Sequence, residues 1–224
     1  MAPKSSRESE TLFIRFRYWV AKFIYDVMFV ILVRAGFWQE GLFTSLVPKA
    51  GDRILDFGHG SASTAVSLAV RYPQAAFVGV DPSLRAIKKA RRIILRKQLG
   101  NVSVVGVPVL GKLPFDANSF DKAVCIFGLH DLPPEQKLGV VREIVKAMRR
   151  NGSLHVVDFD KPENRSESRM LEFARRISGS TAVEPHINGT WTEFLAKGGL
   201  AGVRRRSSHS IGIGRISIVK GRKR

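Results

Sequence analysis

The stretch that most constrains this chain is Arg53-Ile54-Leu55-Asp56-Phe57-Gly58-His59-Gly60-Ser61-Ala62-Ser63-Thr64. It reads as an apolar strand ending on a carboxylate, two glycines one residue apart, and a helix start. Glycine lets backbone approach a ligand closely, and a helix start presents N–H groups that lack an intrahelical partner. A second strand, Ala76-Phe77-Val78-Gly79-Val80, ends on Asp81, where a carboxylate can accept hydrogen bonds from both hydroxyls of a ribose. Further strands are expected at residues 102–107, 122–127 and 154–158, with two more at 203–209 and 213–220. Helices are expected between them, at 63–72, 84–98, 134–149, 170–177 and 192–197. Alternation of this kind argues for an α/β fold: a doubly wound, Rossmann-like, mostly parallel seven-stranded sheet with right-handed crossovers. The closing strand pair supplies one antiparallel strand.

Composition narrows the function classes. The chain has 224 residues, 44% of them hydrophobic, enough for one sizeable core. A single cysteine, Cys125, excludes an intramolecular disulfide and a zinc cluster, so no metal site is expected. The formal net charge is +18, from 37 Lys and Arg against 19 Asp and Glu, which draws a protein to anionic lipid or to nucleic acid. Part of that charge forms a stripe on the 84–98 helix: Arg85, Lys88, Lys89, Arg92 and Arg96 share a face without an acid, opposite Ala86, Ile87, Ala90, Ile93 and Ile94. Residues 12–38 read as an apolar helix with Arg15, Lys22 and Asp26 on one narrow face. Such a helix is either a lid over the domain or a segment lying in a membrane interface. Residues 1–40 are therefore set apart from a main domain at 41–224. Arg15, Arg17, Lys22 and Asp26 interrupt any secretory or spanning segment, so a cytoplasmic location is expected, peripheral at the inner membrane face if the helix is interfacial.

The order Asp56-x-Gly58-x-Gly60 followed by the small Ala62 resembles motif I of the class I S-adenosylmethionine-dependent methyltransferases. A dinucleotide fingerprint fits less well, because its third glycine or alanine would fall on Ser63. Downstream, Phe127-Gly128-Leu129-His130-Asp131, the 146–152 turn and Asp158-Phe159-Asp160-Lys161-Pro162 resemble the UbiE-type C-methyltransferases of ubiquinone and menaquinone biosynthesis. Tyr25-Asp26-Val27-Met28, Leu113-Pro114-Phe115 and Ser119-Phe120-Asp121 are similar to further motifs of that family. The chain departs from the family at His130-Asp131, where Arg-Asn is usual. It departs again at Pro108-Val109-Leu110, which lacks the usual acid, and at Asn151-Gly152, which replaces Gly-Gly.

The resemblance implies S-adenosylmethionine as cofactor. Its binding residues would be Asp56, Gly58 and Gly60 in the turn, Asp81 on the ribose, Pro82 beside the adenine and Phe127 near the sulfonium. Methyl transfer needs donor and acceptor held close to line, and a base where the acceptor bears a proton. His130 leaves the C-terminal end of a central strand, where doubly wound sheets place their sites, and is the candidate base; Asp131 would orient it or replace it. Tyr25 would close over the methyl group, and His186 could face the acceptor. The expected activity is methylation of a small hydrophobic, lipid or quinone-like acceptor, at a membrane surface. Two other classes are a nucleic-acid methyltransferase, prompted by the charge, and a binding protein that keeps the fold without turnover.

Overall fold

The computed structural model describes Val27 and residues 36–58, 63–107, 112–178, 181–211 and 214–224. Tyr25, His59, Gly60, Pro108-Val109-Leu110 and most of the 12–38 segment lie outside the described residues.

In chain order the elements are α1 (Phe37–Leu46), β1 (Arg53–Gly58), α2 (Ser63–Arg71), β2 (Ala76–Asp81), α3 (Leu84–Arg96), β3 (Val102–Gly106), β4 (Phe120–Ile126), α4 (Pro134–Ala147), β5 (Met148–Asp160), α5 (Arg165–Ser178), α6 (Glu184–Asn188), α7 (Trp191–Lys197), β6 (Leu200–Ser210) and β7 (Arg215–Lys223). They build one seven-stranded sheet in the order β3-β2-β1-β4-β5-β7-β6. β1 pairs in parallel with β2 and β4, β2 with β3, and β4 with β5. β7 runs antiparallel to both β5 and β6 and is the one reversed strand. β1 and β2 read as continuous apolar runs because both their faces are covered, which is the usual burial of parallel strands.

One face of the sheet carries Trp38, Leu42 and Leu46 of α1 with Ala65 and Leu68 of α2. The other carries Val140, Val141, Ile144 and Val145 of α4 with Trp191 and Leu195 of α7. α3 lies against β3 and β2 and buries Ile87 and Ala90, two of its expected inner positions.

Two local expectations need correction. The boundary expected at residue 40 falls inside α1, which packs on β5, β6 and β7. Gly36 precedes it at φ 72, a left-handed conformation that favours glycine. The 146–152 segment, expected as a turn after a helix reaching 149, instead continues as β5, because α4 already ends at Ala147. The pairing of β4 with β5 jumps from Phe120–Met148 to Lys122–Ser153, so the intervening residues form a bulge with Asn151 at φ 63. A Cβ on Gly152 would stand 2.7 Å from the Asp121 carbonyl oxygen, which leaves room for glycine alone.

Candidate functional site

The site lies where the parallel strands end. Three of them carry an aspartate at or within two residues of that end, Asp56 in β1, Asp81 in β2 and Asp158 in β5, and all three are buried.

At the first two strands the side chains organise turns. Asp56 Oδ2 accepts the Ala65 N–H at 2.8 Å, which ties the end of β1 to the first turn of α2 across the glycine turn. Burial pushes the Asp56 carboxyl up to about 7; the Ala65 N–H pulls against this and the neighbouring Asp81 charge adds to it. Gly58 is favoured by its neighbour, since a Cβ there would stand 3.0 Å from the Ile126 carbonyl oxygen, a tight contact with backbone. Asp81 Oδ1 accepts the Ser83 N–H at 2.7 Å over Pro82, and Ser83 Oγ in turn caps α3 through the Ala86 N–H. Two buried acids on adjacent strands gain from a cation between them. That suits S-adenosylmethionine, which brings both an ammonium and a sulfonium.

Past β4 the chemistry differs. Phe127 has φ 49, donates its N–H to the Val157 carbonyl at 2.8 Å and meets Trp38 of α1 edge-on at 5.9 Å. Three residues on, the His130 ring lies between two acids: Nδ1 is 2.9 Å from Asp158 Oδ1 and Nε2 is 3.3 Å from Asp131 Oδ2. Asp158 also accepts the N–H groups of Leu129, His130 and Phe159. Burial disfavours charge on His130, but Asp158 and then Asp131 outweigh it and push the imidazole up to about 10. Burial likewise opposes the Asp158 charge, and the His130 cation overcomes it, holding the carboxyl down to about 2.

Lys137 of α4 fastens this loop from beneath. Its ammonium is fully buried and donates to the carbonyls of Leu129, Leu132 and Ala182. Burial lowers it to about 8, against the pull of Asp158 and Asp131. On the far side His186 of α6 stacks on Trp191 at 5.2 Å and approaches the His130 ring edge-on at 6.4 Å. Its Nδ1 lies 2.7 Å from the Phe159 carbonyl oxygen, so that nitrogen carries the proton and Nε2 presents a lone pair. Among the described residues Nε2 is buried without a hydrogen-bond partner, and burial keeps the ring neutral by lowering it to about 4. Trp191 Nε1 donates to Asp160 Oδ1 at 3.0 Å, and Asp160 pairs with Arg205 of β6.

Of the expected site residues, Asp56, Gly58, Asp81 and Pro82 gather at the ends of β1 and β2, while Phe127, His130, Asp131 and His186 gather beyond β4. Asp158 and Lys137 were missed as members of the second group. Asp158 repeats a legible pattern, a strand ending on an acid, as at Asp56 and Asp81. Lys137 carries no such signal, because a lysine in an amphipathic helix reads as solvated. Among the described residues no cluster of His, Cys, Asp and Glu suits a metal ion.

An open sheet of this strand order is a Rossmann-like fold that solved methyltransferase structures share. Comparisons agree. Residues 54–152 match the family described as Methyltransferase domain. The chain is 28% identical over 127 residues to the ubiquinone/menaquinone biosynthesis C-methyltransferase UbiE of Syntrophotalea carbinolica, covering 57% of this chain and 52% of that one. It is 28% identical over 126 residues to the demethylmenaquinone methyltransferase of Geobacillus kaustophilus, covering 56% and 53%. The match thus spans about half the length of these relatives. Among solved structures, a geranyl diphosphate methyltransferase in complex with SAM shares the fold with a TM-score of 0.66 at 14% identity, over 83% of this chain and 84% of that one. The YcgJ protein of Bacillus subtilis does so with a TM-score of 0.65 at 17% identity, over 82% and 96%.

Proposed function

We propose that this chain methylates a small hydrophobic, lipid or quinone-like acceptor at a membrane surface. The observation that carries the reading is the acid pair Asp56 and Asp81 at the tips of adjacent parallel strands, inside the span that matches the methyltransferase family. The relatives named for ubiquinone and menaquinone biosynthesis motivate the acceptor class. When bound, S-adenosylmethionine supplies a carbon on a sulfonium, ready for in-line displacement. In this reading Asp81 holds the ribose hydroxyls, Asp56 draws the cationic end of the cofactor, and Gly58 opens the turn to it.

The sequence cast His130 as a base, but an imidazole with a carboxylate at each nitrogen is already protonated. It is better placed to donate, and in this reading it steadies negative charge on an acceptor oxygen, with Asp158 orienting it. His186 carries the available lone pair, through Nε2. An acceptor with an acidic hydroxyl beside the methylated atom fits that pair: one ring stabilises the anion and the other takes the proton.

The test is methyl transfer. Incubation with labelled S-adenosylmethionine and a lipid extract should give an organic-soluble product heavier by one methyl group. Binding of the cofactor without any such product, in lipid extracts and in RNA alike, would mark a binding protein that keeps the fold.

A further inference from the structure

We infer that the outer face of α3 is a docking surface for an anionic lipid bilayer; this deepens the membrane-surface reading above and rests on it. Two observations meet on that helix. From residue 84 to residue 97 it carries Arg85, Lys88, Lys89, Arg91, Arg92, Arg96 and Lys97 and not one acid. Its two end leucines are also turned outward, Leu84 at 69% and Leu95 at 76% exposure, although Ile87 and Ala90 of the same helix are buried.

Helical geometry puts these features on one face. At about 100° per residue Leu95 falls about 20° from Leu84, with Lys88 about 40° and Arg92 about 80° from it. The leucines are about 16 Å apart along the axis, so they form two apolar contacts with cations between and beside them. Scattered exposed leucines need no explanation. Two on a face that is otherwise wholly cationic match an interfacial helix, which inserts short apolar side chains while lysine and arginine meet headgroup phosphates. A nucleic-acid backbone would use the cations and leave the leucines idle, which favours lipid. The location suits the proposed acceptor too. α3 starts directly after the Asp81-Pro82-Ser83 turn, so a bilayer against this face reaches the end of the sheet where the cofactor acids lie.

The experiment is flotation of the full chain with vesicles of phosphatidylglycerol and phosphatidylcholine, and with phosphatidylcholine alone. The native chain should float with the anionic vesicles only. Lys88→Glu with Arg92→Glu should weaken that association by more than about 25-fold, at about fivefold per cation lost. Leu84→Ser with Leu95→Ser should weaken it roughly tenfold. Cofactor affinity, measured by calorimetry on the same variants, should stay native and so report that they fold. If the leucine variant floats like the native chain while the charge variant does not, the face is a phosphate-contact surface and the lipid proposal fails. If both variants float normally, another segment makes the membrane contact; the docking inference falls and the membrane reading survives. If the native chain floats with neither vesicle, both fall, while methyl transfer to a detergent-dispersed lipid would still support the enzyme.

Discussion

The ends of β1 and β2 and the ends of β4 and β5 handle buried charge in opposite ways. At β1, burial works against the Asp56 carboxylate, the Ala65 N–H compensates only in part, and the Asp81 charge makes matters worse. At β5, the Asp158 carboxylate is equally buried but is met by the His130 ring and three backbone N–H groups. One end is left costly for its own charges, as suits a place where a cationic ligand will bind. The other is compensated internally and fixes the loop that carries His130. A buried acid is informative through its partners more than through its burial.

The largest expected effect follows from breaking the compensated end. Asp158→Ala removes the counter-charge of His130 and an acceptor shared by the N–H groups of Leu129, His130 and Phe159, and should cost about 3–5 kcal/mol in urea unfolding. If the loss is under about 1 kcal/mol, the two ends do not differ as argued. Lys137→Ala should cost roughly 1–3 kcal/mol, because the carbonyls of Leu129, Leu132 and Ala182 lose their shared donor. Thermal melts of Lys137→Ala and Lys137→Met would separate lost hydrogen bonds from lost packing, with Met recovering only the packing part.

At the uncompensated end, Asp81→Ala should leave the fold near native stability, within about 1 kcal/mol for the lost turn contact, and weaken cofactor binding at least about tenfold by calorimetry. Unchanged affinity would remove Asp81 from the binding site.

The effects of pH differ in sign between the ends. His130 is raised from 6.5 to about 10, so its contribution to stability is complete below about pH 6.5 and is lost as pH climbs toward 10. Asp158 is lowered to about 2, so its share is present above about pH 4 and is lost as pH falls through 2. Asp56 works the other way: raised to about 7, it costs stability progressively as pH rises from about 4 to 7. The same ionisation should strengthen binding of the cationic cofactor between pH 6 and 8, and Asp56→Asn should abolish that dependence. A pH-independent affinity in the native chain would mean that Asp56 does not meet the cofactor's charge.

Much of this was legible before any coordinates. Asp56, Gly58 and Asp81 stand out because strand ends, glycines and acids follow one another at short spacing, and short-range order survives in a linear reading. The reversed last strand was legible from the close succession of 203–209 and 213–220. The different role proposed for His130 rests on a partner 28 residues away, since Asp158 reaches the ring only once β4 and β5 lie side by side. The Asn151-Gly152 bulge escaped for the same reason: its cause is the Asp121 carbonyl on the neighbouring strand.

By itself the sequence determined the alternation of strands and helices, the sheet they make and the placing of Asp56 and Asp81 toward the ends of its first two strands. Each of these depends on periodicity, turn chemistry and side-chain type within a few residues. Only the tertiary structure decided which ionisable groups are charged. It closed His130 between two acids, buried Lys137 under a loop, left the His186 lone pair unmet among the described residues and turned Leu84 and Leu95 outward. Protonation and exposure depend on the local dielectric and on the charges within a few ångströms, and those neighbours come from distant parts of the chain.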